Sequence, residues 1–280
     1  MSEEKPLTAR YRGSKHGPIT RLIDPATLGE QLKPFIFLDF FNAPVQRGFS
    51  FGMHPHSGIA TLTWQPDSDI AYQDSIGQSG VLPAGGLECL QAGGGVWHQA
   101  KFETDGWASG FQLWVALPPE AEEAAALAQY VAPHQVPVAQ VPGGELRLLS
   151  GQISLPSQRL RSVIDTQQDM NYLVLNLQPR ASWRYDVPAQ HDVCWAFPFA
   201  GNILLDGVAE SLELLSFGAG QSVNFQAGAA GARIVFGSAK RHSHDLVIGN
   251  GSVHTNAMSL AASHQRIREI GKLLLQQGRR

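Results

Sequence analysis

The sequence predicts an all-β protein of two barrel-like domains, with a few short helices and one helix at the C-terminus. Three observations support this fold class. The chain has 280 residues, enough for two domains of about 100–150 residues each. Its 29 Gly and 17 Pro residues are scattered along the whole length, as expected for many turns. Short apolar or alternating runs recur between these turns every ~10–25 residues, which is typical of sandwiches and barrels.

The predicted strands form two groups, one on each side of a Pro- and Gly-containing segment. They are FIFLDFF (35–41), ATLTWQP (60–66), GLECLQA (86–92) and GFQLWVALP (110–118) in the first group, and ELRLLSG (145–151), MNYLVLNLQ (170–178), GNILLDG (201–207) and GARIVFGS (231–238) in the second. The segment 132–144 between the groups is typical of an extended linker. We therefore predict an N-terminal domain over 1–135, a linker over 136–144 and a C-terminal domain over 145–280.

Helical signals are confined to two segments. Residues 118–131 begin with Pro and acidic residues and continue in Ala, which predicts one short helix. Residues 259–276 carry apolar side chains at helical spacing, with Ser259 as a candidate N-cap.

Composition and charge exclude several classes of function. The net charge is −3, without the basic patches that track phosphates, so direct nucleic-acid binding is not expected. No apolar run approaches the ~20 residues that span a bilayer, and the polar N-terminus does not resemble a signal peptide. Cys89 and Cys194 cannot make a disulfide framework, and Cys89 sits in an apolar run typical of core packing. These features predict a cytoplasmic protein without a membrane segment.

The candidate chemistry lies in FGMHPHSGIATLTW (51–64). His54 and His56 are two residues apart, so in a strand both imidazoles project from one face and could bind one divalent metal. His98 follows a glycine-rich turn and is the best candidate for a third ligand from a neighbouring strand. The spacing alone leaves an alternative open, in which the three imidazoles only form hydrogen bonds at the mouth of a barrel.

These residues lie within a longer pattern that resembles the pirin family. The runs MHPHSGIATLTW and YQDSIGQSGVLPAGGLECLQAGGGVWHQ are similar to its signature. In that signature, HPH-x-G leads into a strand, followed by an H-x-D-S-x-G turn and a GD-x-Q-x-M-x-A-G-x-G-x-x-H-x-E run. Flanking runs such as PFIFLDFF and GFQLWVALP also agree, and the resemblance covers nearly the whole chain.

The resemblance implies two jelly-roll-like cupin barrels face to face, with a metal pocket only in the first. The implied ligands are His54, His56, His98 and a Glu at position 100, where this chain has Ala100. The implied cofactor is one divalent metal ion, iron first, with Zn, Ni or Cu as alternatives. Two further departures are Ala60 in place of a family Glu and Gln73 in place of a family His.

The loss of the carboxylates leaves the proposed site with three neutral ligands. Strand parity places Glu103 on the face opposite His98, so Glu103 is not expected to substitute unless a bulge inverts the parity. His191 is expected to be a surface or packing residue, and His242 and His244 are expected to lie in a solvated turn. We expect the pocket walls to include the apolar residues Met53, Trp64, Leu90 and Phe111.

Two hypotheses for function follow. The first is a metal-dependent, quercetin 2,3-dioxygenase-like oxygenase that acts on a flavonol-like aromatic substrate. The second is a non-enzymatic regulatory or binding protein with a degenerate, metal-bound or metal-free pocket, acting through a protein partner. Ala60 and Ala100 favour the second hypothesis, because a carboxylate would normally serve as a ligand or base in the first. A monomer is the default expectation.

Overall fold

A computed structural model describes residues 3–279, which fold mainly as β-strands in two compact units. We call Lys15–Gln135 together with His242–Arg280 the histidine unit, and Met1–Ser14 together with Val136–Arg241 the apolar unit. The prediction of an all-β fold with a few short helices and a C-terminal helix is confirmed. No helix in the described part of the chain is long and apolar enough to cross a bilayer.

The strands of the first half of the chain are short and mostly antiparallel to their neighbours. They are β1 (Leu7–Tyr11), β2 (Ser14–His16), β3 (Ile19–Ile23), β4 (Phe35–Val45), β5 (Ser50–His56), β6 (Ile59–Trp64), β7 (Ile70–Asp74), β8 (Ser79–Leu82), β9 (Leu87–Gln91), β10 (Val96–Phe102), β11 (Gly106–Ala116) and β12 (Leu127–Val131). A short helix, α1 (Leu28–Leu32), precedes β4.

The second half of the chain contains longer strands and the C-terminal helix. The strands are β13 (Val138–Val141), β14 (Gly144–Ser150), β15 (Gln152–Ser154), β16 (Arg159–Arg161), β17 (Met170–Leu177), β18 (Ser182–Asp186), β19 (Val193–Leu205), β20 (Val208–Glu210), β21 (Leu214–Phe217), β22 (Ser222–Ala239), β23 (Val247–Gly249) and β24 (Ser252–His254). The helix is α2 (Ala257–Gln276).

The histidine unit is built from two antiparallel sheets and one hairpin. One sheet has the order β12-β9-β6-β11-β4-β3-β2, the other has the order β5-β10-β7-β8, and β23 pairs with β24. The residues of β6 and β9 are buried along their whole length, as expected for apolar and β-branched runs in central strands. Strands β5, β9 and β10 carry the candidate site.

The apolar unit has a different interior. Its main sheet has the order β1-β21-β19-β22-β17-β14-β13, with β18 and β20 added to β22 and β19. Inward-facing side chains from these strands form one cluster of buried residues, which includes the rings of Trp183, Tyr185, Phe225 and Phe236. Side chains of this size fill the space between strands at a density close to that of an organic crystal.

Helix α2 packs against the histidine unit through one face. Its buried residues are Ser263, Ile267, Gly271 and Leu274, which are spaced three or four residues apart. The Trp97 ring packs on this face, and its Nε1–H donates a hydrogen bond to the Ile267 carbonyl at 2.9 Å. The N-cap is Asn256, whose side chain accepts from the Ser259 N–H at 2.9 Å, so the prediction of Ser259 as the cap is wrong.

The predicted helix over 118–131 does not form. Pro119–Ala121 makes only one 3-10 turn, and Leu127–Val131 is strand β12, paired with β9. The Glu122 side chain is buried and accepts hydrogen bonds from the backbone N–H and the hydroxyl of Thr255, at 2.6 and 3.1 Å. Tertiary pairing of this kind outweighs the weak helix propensity of an Ala-rich segment.

The structure also differs from the predicted domain boundaries. Strand β1 pairs with β21 and therefore belongs to the apolar unit, although the sequence placed it in the N-terminal domain. Helix α2 packs on β10 and belongs to the histidine unit, although the sequence placed it in the C-terminal domain. Part of the predicted linker 136–144 is strand β13, paired with β14. These pairings join segments that are distant in the chain, so local composition does not reveal them.

The packing of α2 gives a stability prediction. Leu274 is 2% exposed, whereas its neighbour Leu273 is 56% exposed. Leu274→Ala should lower the free energy of unfolding by about 2–5 kcal/mol, because it leaves a cavity beneath the helix. Leu273→Ala, the matched control, should change it by less than about 0.5 kcal/mol. Urea denaturation of the full-length chain measures both values, and equal losses would contradict the packing described here.

Candidate metal centre

Two neighbouring strands bring three histidines together. His54 and His56 lie two residues apart on β5, and His98 lies directly opposite His54 on β10. Directly opposite residues of an antiparallel pair have adjacent side chains, so the third ring joins the first two. One nitrogen from each ring lies within 4.8 Å of the others. The structure therefore brings together the three residues predicted from the sequence.

The Nδ1 atom of each ring faces a hydrogen-bond acceptor. The acceptors are the Gly52 carbonyl for His54 at 2.6 Å and the Gly251 carbonyl for His56 at 2.8 Å. For His98 the acceptor is Oε1 of Glu88 at 3.2 Å. A carbonyl oxygen or a carboxylate only accepts, so each Nδ1 carries the proton and each Nε2 keeps its lone pair.

The free lone pairs provide a test of whether the residues fit a metal ion. The Nε2 atoms of His56 and His98 are buried and have no hydrogen-bond partner among the described residues. Leaving a buried acceptor unpaired costs about 1–3 kcal/mol, so such an arrangement needs a reason. Three neutral imidazoles with convergent lone pairs are a suitable donor set for Fe, Ni, Cu or Zn. The residues present fit a divalent metal ion.

The electrostatic environment keeps two of the rings neutral. Burial, followed by the neighbouring His98, lowers the pKa of His54 to about 4. Burial, and then His98 and His54, lowers the pKa of His56 well below its ordinary value. Both imidazoles are therefore in the unprotonated form that a metal requires at neutral pH, without a cost for removing protons.

The hairpin of β23 and β24 positions the acceptor for His56. Gly251 lies in its turn with φ +69°, and a Cβ there would be 2.8 Å from the Pro55 carbonyl. The hairpin is fixed to the segment after His56 by buried hydrogen bonds. The Ser57 hydroxyl donates to the Ser252 hydroxyl and lies 2.9 Å from His254 Nε2. These contacts hold the Gly251 carbonyl at a fixed place beside the His56 ring.

A cavity of about 580 Å³ adjoins the three rings. Its aromatic lining consists of Phe37, Phe41, Phe51, Phe102, Phe111 and Trp114. The rings of Phe37 and Trp114 stack with centroids 4.0 Å apart. An aromatic wall of this kind favours a flat, apolar ligand.

One charged pair lines the same cavity and is internally compensated. Arg21 donates two hydrogen bonds to the carboxylate of Asp39, at 2.9 and 3.0 Å. Its guanidinium also lies 4.3 Å from the centroid of the Phe37 ring. The pair therefore presents polar groups to the cavity without a large net charge.

Only one of the four predicted wall residues lines the cavity among the described residues. Phe111 does, whereas Trp64 and Leu90 are buried in the core. Thr63 in β6 and Gln65 just after it face the cavity, so alternation along the chain turns Trp64 to the other side. Met53 packs with Trp97 against helix α2.

None of the positions at which this chain departs from the family pattern supplies a ligand to the three-histidine group. Ala100 lines the cavity, whereas Ala60 is fully buried outside it. Glu103 pairs with Arg47 at 3.0 Å and is not in the group of candidate ligands, as expected. It follows the end of β10, whose pairing with β5 is irregular between His98 and Ala100, so strand parity is not the reason. Gln73 accepts a hydrogen bond from the side chain of its strand partner Gln99 at 2.7 Å. None of these residues replaces the missing carboxylate ligand.

Sequence reasoning missed Glu88. This residue lies on β9, is 5% exposed, lines the cavity and contacts His98. Burial opposes ionisation, but the hydrogen bond with His98 outweighs it and holds the pKa of Glu88 below its ordinary value. The available signal was an acidic residue inside the otherwise apolar run GLECLQA, a position at which an unpaired carboxylate would be costly.

The other histidines have structural surroundings. His191 is buried, with Nδ1 2.9 Å from the Ser238 hydroxyl and Nε2 3.0 Å from Asp169, which agrees with a packing role. His244 is exposed, as expected for a turn, but His242 is 5% exposed and so is not solvated as predicted. Its backbone N–H donates to the Lys33 carbonyl, which draws the segment into the histidine unit.

Comparison with known sequences identifies relatives. A family model described as Pirin matches residues 18–115. A pirin-like protein from Caulobacter vibrioides is 30% identical over 206 residues, which cover 69% of each chain. A putative quercetin 2,3-dioxygenase from Pseudomonas aeruginosa is 28% identical over 183 residues, which cover 64% of each chain.

Solved structures share the fold. A quercetin 2,3-dioxygenase from Acinetobacter baumannii has a TM-score of 0.85 at 19% identity, covering 95% of this chain and 97% of that one. A bacterial pirin from Escherichia coli in complex with nickel(II) has a TM-score of 0.60 at 18% identity, covering 86% of this chain and 99% of that one. These similarities support the predicted cupin fold.

The environment of His54 gives a prediction for the metal-free protein. Because the pKa of His54 is lowered to about 4, its ring should stay neutral between about pH 8 and pH 5, as the Nδ1–H tautomer. Long-range ¹H–¹⁵N NMR of histidine-labelled protein measures both properties, and the signal is assigned by its absence in a His54→Gln variant. A titration midpoint near 6.5, or the Nε2–H tautomer, would contradict the hydrogen bond to Gly52.

Proposed function

This chain belongs to the pirin family, and we propose that it is a metal-dependent oxygenase that acts on a flat, flavonol-like aromatic substrate. One observation carries the proposal. One nitrogen from each of three imidazoles lies within 4.8 Å of the others at the wall of an aromatic cavity, and the Nε2 atoms of His56 and His98 are unpartnered within the described chain. The name of the Pseudomonas aeruginosa relative supports the same class of reaction.

The histidines would bind the metal through Nε2. His54, His56 and His98 would occupy three positions, and the remaining positions would be open to substrate or water. A bound redox-active ion would supply the electron transfer that lets an aromatic substrate react with dioxygen. Iron is the first choice from the family resemblance, and nickel is supported by the complex of the Escherichia coli pirin. The hydrogen bonds to Nδ1 would keep the three rings aimed at one point.

The cavity would select and orient the substrate. Its volume of about 580 Å³ lies in the range of ~300–1,000 Å³ that is typical of small-molecule sites. Stacked Phe37 and Trp114 offer a flat surface to an aromatic ring, while the apolar walls exclude water. The side chains of Gln65 and Gln112 could hydrogen-bond to hydroxyl or carbonyl groups of a flavonol. Because dioxygenation places both oxygen atoms in the product, no external reductant is needed.

A second candidate function rests on Ala100. This side chain lines the cavity where the family has a carboxylate ligand, so the site lacks an oxygen donor and a base from that position. The protein could then act without catalysis, as a metal- or small-molecule-binding regulator that reaches its target through a protein partner. The net charge of −3 argues against direct nucleic-acid contact in either case.

The metal content of the purified protein tests the site. We expect about one equivalent of a divalent transition metal in the parent protein and less than about a tenth in a His54→Ala, His98→Ala double variant, because one remaining imidazole binds a metal weakly. A His134→Ala, His244→Ala double variant removes two exposed histidines and should keep its metal. Elemental analysis measures all three, and equal metal contents would exclude the site.

Oxygen uptake tests the activity. Metal-loaded protein should consume one molecule of oxygen per molecule of flavonol, with loss of the flavonol absorbance. A flavone without the 3-hydroxyl group is the matched control and should give no uptake, because it lacks the hydroxyl oxygen next to the carbonyl. Protein that contains one equivalent of a redox-active metal but consumes no oxygen with any flavonol would favour the regulatory function.

A further inference from the structure

Glu88 is a buried carboxylate on the strand that lies behind the three histidines. It belongs to β9, whose residues are all buried, and it pairs across the sheet with Thr63 on β6 and Tyr130 on β12. The side chain is 5% exposed and lines the cavity. Its carboxylate lies 3.2 Å from the Nδ1 atom of His98. Removing one member of a buried polar pair leaves the other without its partner, so the contact between Glu88 and His98 is expected to matter.

The contact of Glu88 with His98 differs in chemical type from the contacts that hold His54 and His56. Backbone carbonyls of Gly52 and Gly251 hold His54 and His56, and these are neutral dipoles. His98 instead faces a carboxylate at 3.2 Å. A carboxylate that accepts from the far nitrogen of a metal-ligating imidazole orients the ring and makes its other nitrogen a stronger donor.

Two departures from the pirin motif occur at positions 88 and 100, and both positions line the cavity. The motif quoted above ends in Glu, where this chain has Ala100, and it has Gln where this chain has Glu88. One negative charge is lost from the position beside the metal, and one is gained on the strand behind His98. The structure places both positions on the same cavity.

We propose that Glu88 is a positioning residue that restores, through His98, the negative charge that Ala100 no longer provides to the metal site. The carboxylate acts on the metal indirectly, because Glu88 is not part of the group of donor atoms within 4.8 Å of one another in the described chain. The site thus combines three neutral ligands with one charge in contact with a ligand. This inference rests on the proposed metal site but not on the oxygenase reaction.

Nickel affinity of the full-length, metal-free protein tests the proposal. Glu88→Gln keeps the size and an acceptor but removes the charge, and it should weaken the nickel Kd by about 10–100-fold. Glu103→Gln, the matched control, removes a carboxylate that pairs with Arg47 away from the site and should change the Kd by less than about twofold. Competition titration with a chelator of known affinity measures each value.

Measuring Glu88→Gln in an Ala100→Glu protein distinguishes two roles of Glu88. One is to supply a negative charge to the metal site, and the other is only to orient the His98 ring. If Glu88 replaces the missing charge, Glu88→Gln should cost clearly less in the Ala100→Glu protein than in the parent, because the added carboxylate supplies that charge directly. An equal loss in both backgrounds would overturn the compensation. A loss of less than about threefold in the parent background would overturn the role of Glu88 altogether.

Further measurements keep the test decisive. If Glu88→Gln does not fold, Glu88→Asp retains the charge but shortens its reach, and the Co²⁺ absorption spectrum of that variant should shift relative to the parent. An unchanged spectrum and nickel Kd for Glu88→Asp would contradict the proposal, as would a parent protein that binds no nickel. A parent that binds nickel but oxidises no flavonol would overturn only the oxygenase function. An active parent whose Glu88→Gln variant keeps its nickel Kd would overturn only this inference.

Discussion

The direction of three imidazole rings depends on hydrogen bonds to their Nδ1 atoms. Each bond has an acceptor that cannot donate, so each fixes the tautomer as well as the ring angle. One nitrogen from each ring lies within 4.8 Å of the others, and burial keeps the rings of His54 and His56 unprotonated. Both the proposed metal site and the proposed role of Glu88 depend on this arrangement.

The acceptors themselves are placed by different parts of the histidine unit. Gly52 is local to His54, Glu88 comes from the central strand β9, and Gly251 comes from a hairpin nearly two hundred residues along the chain. That hairpin is fixed by Ser57 and His254, and the residue after it is held by buried Glu122. Segment 118–131, whose composition suggests an Ala-rich helix, thus holds the residue that follows the hairpin. This contact explains why Glu122 is buried.

The two units share a fold class but use their interiors differently. Aromatic and aliphatic side chains pack the inside of the apolar unit. In the histidine unit, aromatic rings line a cavity instead, and the polar residues Thr63, Gln65 and Glu88 face it from the central strands. Thr63 and Glu88 are polar residues within otherwise buried strands, and Gln65 follows the end of one of them. The chemistry is therefore concentrated in the unit that retains internal space.

The sequence alone determined the all-β class, the C-terminal helix and the three histidines, because turn residues, helical spacing and an H-x-H pair are local patterns. Only the tertiary structure decided that β1 belongs to the apolar unit and α2 to the histidine unit. It also decided that Trp64 and Leu90 lie outside the cavity and that Glu88 contacts His98. These features depend on which distant strands pair and on which residues of other strands each side chain contacts. No local sequence pattern encodes either property.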